Sequence, residues 1–200
     1  MTESSDERPK RPDPLEPRNG VARSGKPTSR GSGDSPEGPK PKRKGGLRLE
    51  PLGGIDHALS HPKCVRELEP DYAEGMELWR EGDIEAARDA LRFALQGCGD
   101  NMWVHVALGR IALESDRDAR LARGHFGYAF ELAQRAIPPN FRGRIPMEHP
   151  SNEPLYRAID GLLACYASMK EPALEAEVRA CASRWSTGGG GGGARGGRGG

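Results

Sequence analysis

Three side chains able to ligate a transition metal, His57, His61 and Cys64, fall close together, and Cys98 is the one further thiol that could approach them. Structural zinc takes a closed tetrahedral set, usually built on a paired Cys-x-x-Cys, and this stretch has no such pair. Neither a metal nor a cofactor is therefore expected. His105 and His125 lie in adjacent segments and could meet, but a half-buried histidine held by one backbone partner is the expectation, not a proton-transfer pair. The chain has no phosphate-binding glycine loop ahead of a helix, no nucleophile elbow and no zinc-protease helix signature. Glu74, Glu77, Glu81 and Glu85 recur at helical spacing and read as a solvated face. No catalytic residue is nominated, and a non-enzyme is expected.

Positive charge offers a second chemistry. Lys40, Lys42, Arg43 and Lys44 form a short basic cluster, and Arg195 and Arg198 stand in a glycine-rich tail like the arginine-glycine segments of some RNA-binding proteins. Cations beside phosphate add salt-sensitive affinity by counterion release. No aromatic residue is interleaved for base stacking, so weak nucleic-acid contact through the arms is the alternative function, not the leading one.

The elements that must position any site begin late in the chain. Up to Gly46 the only large apolar residues are Met1, Leu15 and Val21, too few to offset chain entropy, so disorder is expected there. Leu47, Leu49, Leu52 and Ile55 form a sparse apolar stretch that could dock on the domain or on a partner, with a solvated linker the favoured reading. From Leu68 the periodicity becomes helical. Tyr72, Gly75, Leu78 and Trp79 mark one helix, with Pro70 in its first turn. Gly82-Asp83 ends it and caps a second helix whose face carries Ile84, Ala87, Leu91, Ala94 and Leu95. A capping Asp100 opens a third helix with Leu108, Gly109 and Ala112. The turn Ser115-Asp116-Arg117-Asp118 leads to a fourth with Ala122, Phe126, Ala129, Phe130 and Ala133, stopped by Pro138-Pro139. A further pair starts near Ser151 and at Pro172, and shows Leu155, Ile159, Leu162, Leu163 and Tyr166, then Leu174, Val178, Cys181 and Trp185.

Gly75 and Gly109 are 34 residues apart, and each is followed by an alanine-centred second helix. A hairpin of this kind cannot bury its own apolar stripe, whereas three stacked ones share a core. The positions Gly75, Gly82-Asp83, Ala87, Leu91 and Ala94, repeated as Gly109, Ala122, Phe126 and Ala129, resemble the tetratricopeptide repeat. A third unit from Tyr156 is looser, with Lys170 where the turn glycine belongs and Ala176 and Ala180 in approximate register. The resemblance implies an all-α, right-handed solenoid of three helix hairpins at residues 67–186, between an arm and linker at 1–66 and a glycine-rich tail at 187–200, both arms disordered. It also implies a groove lined by first helices: Tyr72, Met76, Trp79, Arg80, Trp103, Val106, Arg110 and Leu113, with Arg157 and Asp160 from the third unit. The function implied is a non-catalytic adaptor holding a protein or peptide partner in that groove. Relatives that grip a C-terminal carboxylate use Lys and Asn where Tyr72, Met76, Val106 and Arg110 stand, which argues against that ligand. The 138–151 connection, longer than a repeat turn, is a candidate lid, and the last helix lacks the usual solvating helix, leaving a face for self-association.

Charge is uneven. Residues 1–66 carry 14 Lys/Arg against 9 Asp/Glu, and residues 67–185 carry 14 against 20. No run approaches the roughly 20 apolar residues that span a bilayer, and the N-terminus has charge and proline where a signal peptide has an apolar stretch. A cytoplasmic protein without membrane contact is expected. Cys64, Cys98, Cys165 and Cys181 are too dispersed for a disulfide framework and are expected reduced.

Overall fold

The computed structural model describes residues 46–188, so the basic cluster, Arg195, Arg198 and most of both arms lie outside the described residues. The described part is mostly helical, in seven helices preceded by a small two-stranded sheet. Strands β1 (Arg48–Gly53) and β2 (Asp56–Ser60) pair antiparallel, Leu49 opposite Leu59 and Arg48 opposite Ser60. Gly54-Ile55 makes the turn, and Gly53 and Gly54 take φ of 141° and 57°, values that side chains rarely adopt. A hairpin thus replaces the expected linker, and the all-α expectation holds only for the described residues C-terminal to it. Leu59 is 1 % exposed and the partly buried Leu47 and Leu49 pack against the main core, so distant helices cover these leucines.

The helices are α1 (Lys63–Glu67), α2 (Glu69–Glu81), α3 (Ile84–Gly97), α4 (Met102–Glu114), α5 (Ala119–Ala136), α6 (Glu153–Met169) and α7 (Pro172–Thr187). Local chemistry sets their ends. Asp83 accepts from the Ala86 amide and Asp118 from those of Arg120 and Leu121. The cap of α4 is Asn101, one residue after the expected Asp100. Buried Asn101 accepts from the Trp103 and Val104 amides. Gly82 closes α2 with φ 90°, and Lys170 closes α6 in the same left-handed region at φ 59°.

Three pairs, α2 with α3, α4 with α5 and α6 with α7, pack as hairpins, and α2 lies on α4 as α4 lies on α6. Within each of the first two pairs a glycine admits a large side chain from the partner helix. A Cβ on Gly75 would lie 2.7 Å from Leu91, and one on Gly109 would lie 2.9 Å from the Phe126 ring. Ala87, Ala94, Ala122 and Ala129 are wholly buried beside them. One core cluster joins α3 to α4 through Leu91, Val104, Leu108 and Ile111. A larger one gathers Met102, Phe126, Phe130, Leu155, Ile159, Leu162, Val178 and Trp185 with Leu59 and Ile145.

The 138–151 connection is fastened near its middle to the hairpin and to the end of α7. His57 N–H donates to Arg144 O at 2.8 Å, Arg144 N–H to Ile55 O at 2.7 Å and Ile145 N–H to Trp185 O at 2.7 Å. Arg144 also holds Asp56 through two hydrogen bonds of 2.7 and 2.6 Å, which keeps the Asp56 carboxyl below the usual carboxylate range. A short 3-10 turn, Pro150–Asn152, completes the clamp. Asn152 is fully buried, accepts from the Leu59 amide at 2.8 Å and donates to His57 O at 3.2 Å and Pro146 O at 2.9 Å. Every polar group of that side chain is used, two bonds holding the hairpin and one holding the connection at Pro146.

Cys64 and Cys98 are joined in a disulfide with Cα atoms 5.6 Å apart, which overturns the expectation of reduced thiols for this pair. Their separation of 34 residues hid them as partners, because proximity depends on how the chain before α2 folds back on the end of α3. Cys165 and Cys181 are free.

Candidate functional site

The side chains nominated on α2 follow a spacing of four and three, Tyr72, Met76 and Trp79, so one edge of the helix presents them together. On α4, Trp103 and Arg110 reach the same face. Their rings and charges meet across the two helices. The Tyr72 and Trp103 centroids are 6.4 Å apart, and the Arg110 guanidinium lies 4.7 Å over the Trp79 ring. Burial raises the Tyr72 pKa, and the nearby charges of Arg157, Glu153 and Arg110 also bear on it. Tyr72, Trp79, Trp103 and Arg110 are half-buried, so each has an inner wall and an outer surface.

The other nominated residues divide. Met76 packs against the first core cluster and Leu113 against the larger one, both partly exposed. Val106 is 3 % exposed and belongs to the core, a correction to its groove assignment. Helix α4 is buried on several sides, through Met102, Val104, Ala107, Leu108 and Ile111, so its period alone could not separate groove from core. Arg80, Arg157 and Asp160 are exposed. The arginines are not unopposed: Arg80 meets Glu77 at 3.2 Å, Arg110 meets Glu114 at 3.0 Å and Arg157 pairs with Glu153. A visiting acid would have to compete with these carboxylates.

At one end of this face is a pocket of about 530 Å³ that periodicity did not reveal. Tyr72 and Trp103 form one side, Val65 and Arg66 of α1 another, and His61 and Ser151 contribute polar atoms. The ring Nε2 of His61 lies 2.8 Å from Ser151 O, and burial depresses its pKa. The signal for this wall was present in the sequence as Gly53-Gly54 between apolar stretches, a hairpin mark. Its position beside Tyr72 required the remote anchor Asn152.

The metal set does not form. Cys64 is consumed by Cys98, His57 Nδ1 is 3.0 Å from Ile55 O and its ring stands edge-on to Phe141. Among the described residues no group of three or more His, Cys, Asp or Glu is placed to hold an ion. His105 and His125 do meet, with centroids 5.8 Å apart, and the His105 ring lies 4.6 Å from that of Tyr128. His105 Nε2 is bound at 3.0 Å to Gly99 O. Burial first, then the charges of His105 and Arg92, push the His125 pKa down to about 4, so both rings are neutral packing groups near neutral pH.

No protein-family model, no curated protein and no solved structure matches the chain. Its class rests on geometry alone: a mostly helical body with a clamped β-hairpin and a half-exposed aromatic face. Among the described residues no helix is long and apolar enough to cross a membrane.

Proposed function

We propose that this chain is a non-catalytic protein-interaction adaptor of tetratricopeptide-like build, its three helix pairs forming a right-handed solenoid whose first helices hold an extended or helical segment of a partner. The observation that supports this most is the aromatic and arginine set shared by α2 and α4: Tyr72 beside Trp103, and Arg110 stacked on Trp79. Trp, Tyr and Arg are the residues that contribute most at interfaces, because they bury large rigid surfaces at small entropic cost. Half-burial gives each ring a fixed orientation before any partner arrives, which lowers the cost of association. The partner implied carries apolar or aromatic anchors for the Tyr72–Trp103 end. A cytoplasmic setting is part of the same proposal.

A displayed library of random peptides selected on the full chain tests it. Selected peptides are expected to lose about tenfold or more in affinity with either Trp79→Ala or Trp103→Ala, and to ignore Phe93→Ala on α3. Peptides that bind the doubly substituted chain as well as the parent, with its circular dichroism intact, would sink the reading.

A further inference from the structure

We infer that the Cys64–Cys98 disulfide is a thiol–disulfide exchange site for a dithiol reductant, and that exchange there releases the α1 wall of the pocket beside Tyr72 and Trp103. The inference rests on the groove reading only for its use in binding, since the exchange itself needs no partner.

Four observations carry it. The disulfide fastens α1, a helix of five residues none of which is buried, to the residue that follows α3. Apart from the sulfur bridge, the segment is held at its start by buried Pro62 and by His61 Nε2, 2.8 Å from Ser151 O, within itself by the bonds Val65 N–H to Pro62 O and Leu68 N–H to Cys64 O, each 3.0 Å, and at its end by Leu68 resting on Gly97. Breaking the bridge therefore frees a wall without opening a core. Val65 and Arg66, on the same short helix, face Tyr72 and Trp103 across the pocket. Finally, the two sulfurs are unequal: Cys98 is 3 % exposed, whereas Cys64 is partly open to solvent.

That inequality sets the direction of attack. A thiolate of the reductant displaces sulfur at Cys64 Sγ, the Cys64–Cys98 bond breaks, and Cys98 leaves as a thiolate that takes up a proton. The second thiol of the reductant then attacks its own sulfur in the mixed disulfide and releases the Cys64 thiol. Two protein thiols form and the dithiol ends as a cyclic disulfide, so two electrons and two protons pass to the protein. An oxidised dithiol reverses the sequence.

The test uses the oxidised full chain titrated with dithiothreitol, followed by alkylation and peptide mass spectrometry. Cys165, buried in the core, serves as the internal marker of global unfolding. Cys64 and Cys98 are expected to label while Cys165 stays protected. Amide exchange across 63–69 is expected to rise about tenfold or more, while α4 to α6 stay far better protected and lose only what the lower global stability of the reduced chain removes. Acrylamide quenching of Trp103, taken by difference from Trp103→Phe, is expected to rise with it. The variant Cys64→Ser/Cys98→Ser should show the same exchange and quenching without reductant. The inference is overturned if the pair labels only when Cys165 does, if exchange at 63–69 and quenching stay unchanged in the reduced chain, or if α4 to α6 become as unprotected as α1. Failure here leaves peptide capture by Trp79 and Trp103 untouched, and failure of that capture leaves this chemistry untouched.

Discussion

At the scale of single residues, two side chains occupy places that cost stability. Lys170 adopts φ 59° to end α6, a conformation in which a Cβ crowds the backbone and which Gly82 fills freely at the end of α2. Lys170→Gly is expected to stabilise the chain by about 1 kcal/mol, read as a higher urea midpoint at constant slope. His125 is held neutral by burial, with His105 and Arg92 as the charges facing it and its pKa pushed down to about 4. In the unfolded chain it titrates near the ordinary histidine value of about 6.5. Between those values the unfolded state binds the extra proton, so stability falls as pH drops from about 6.5 toward 4 and is fully present above that window. His61 and His105, both depressed by burial, act in the same direction. His125→Gln is expected to flatten the slope of stability against pH over this range. An unchanged slope in the variant would assign the effect to other groups.

At the scale of elements, one ring locks two helix pairs together. Phe126 of α5 fills the space left by Gly109 on α4 and by Gly161 on α6, where an added Cβ would come within 2.5 Å of the ring. Alanine favours a helix over glycine by about 1 kcal/mol, yet overpacking costs about 1–3 kcal/mol. Gly161→Ala is therefore expected to destabilise the chain, and the sign should reverse in a Phe126→Leu background, because the two positions are coupled. A double-mutant cycle by denaturation measures this. The packing inside each of the first two pairs was legible in the sequence, since Gly75 with Leu91 and Gly109 with Phe126 are fixed by helical period and a short turn. Gly161 against Phe126 was not, because that contact joins neighbouring pairs. The same limit governed the site. Tyr72, Trp79, Trp103 and Arg110 share a face that helical register foresaw, whereas Val106 sits on a helix apolar on most of its sides and went to the core. Leu47 and Leu49 belonged to a stretch that looked too sparse to fold because their packing partners lie far along the chain.

For the molecule as a whole, the unit that folds is larger than the three helix pairs. A chain cut to 67–186 would lose Leu59 from the main core, leave the buried Asn152 without its hairpin partners and remove Cys64. Deleting a buried leucine costs about 2–5 kcal/mol, and an orphaned buried amide about 1–3 kcal/mol. A disulfide closing a loop of 34 residues contributes about 3–4 kcal/mol in the chain-entropy view. Together these approach the roughly 5–15 kcal/mol by which a domain is stable at all. The 67–186 fragment is therefore expected to lack a cooperative urea transition and near-ultraviolet dichroism, while 46–188 shows both. Reduced 46–188 separates the causes: it is expected to keep its cooperative transition at a lower midpoint, because the hairpin, Asn152 and Leu59 remain in place when the sulfur bridge opens. A cooperative 67–186 fragment as stable as 46–188 would show instead that the helices carry the fold alone and that the hairpin is an appendage.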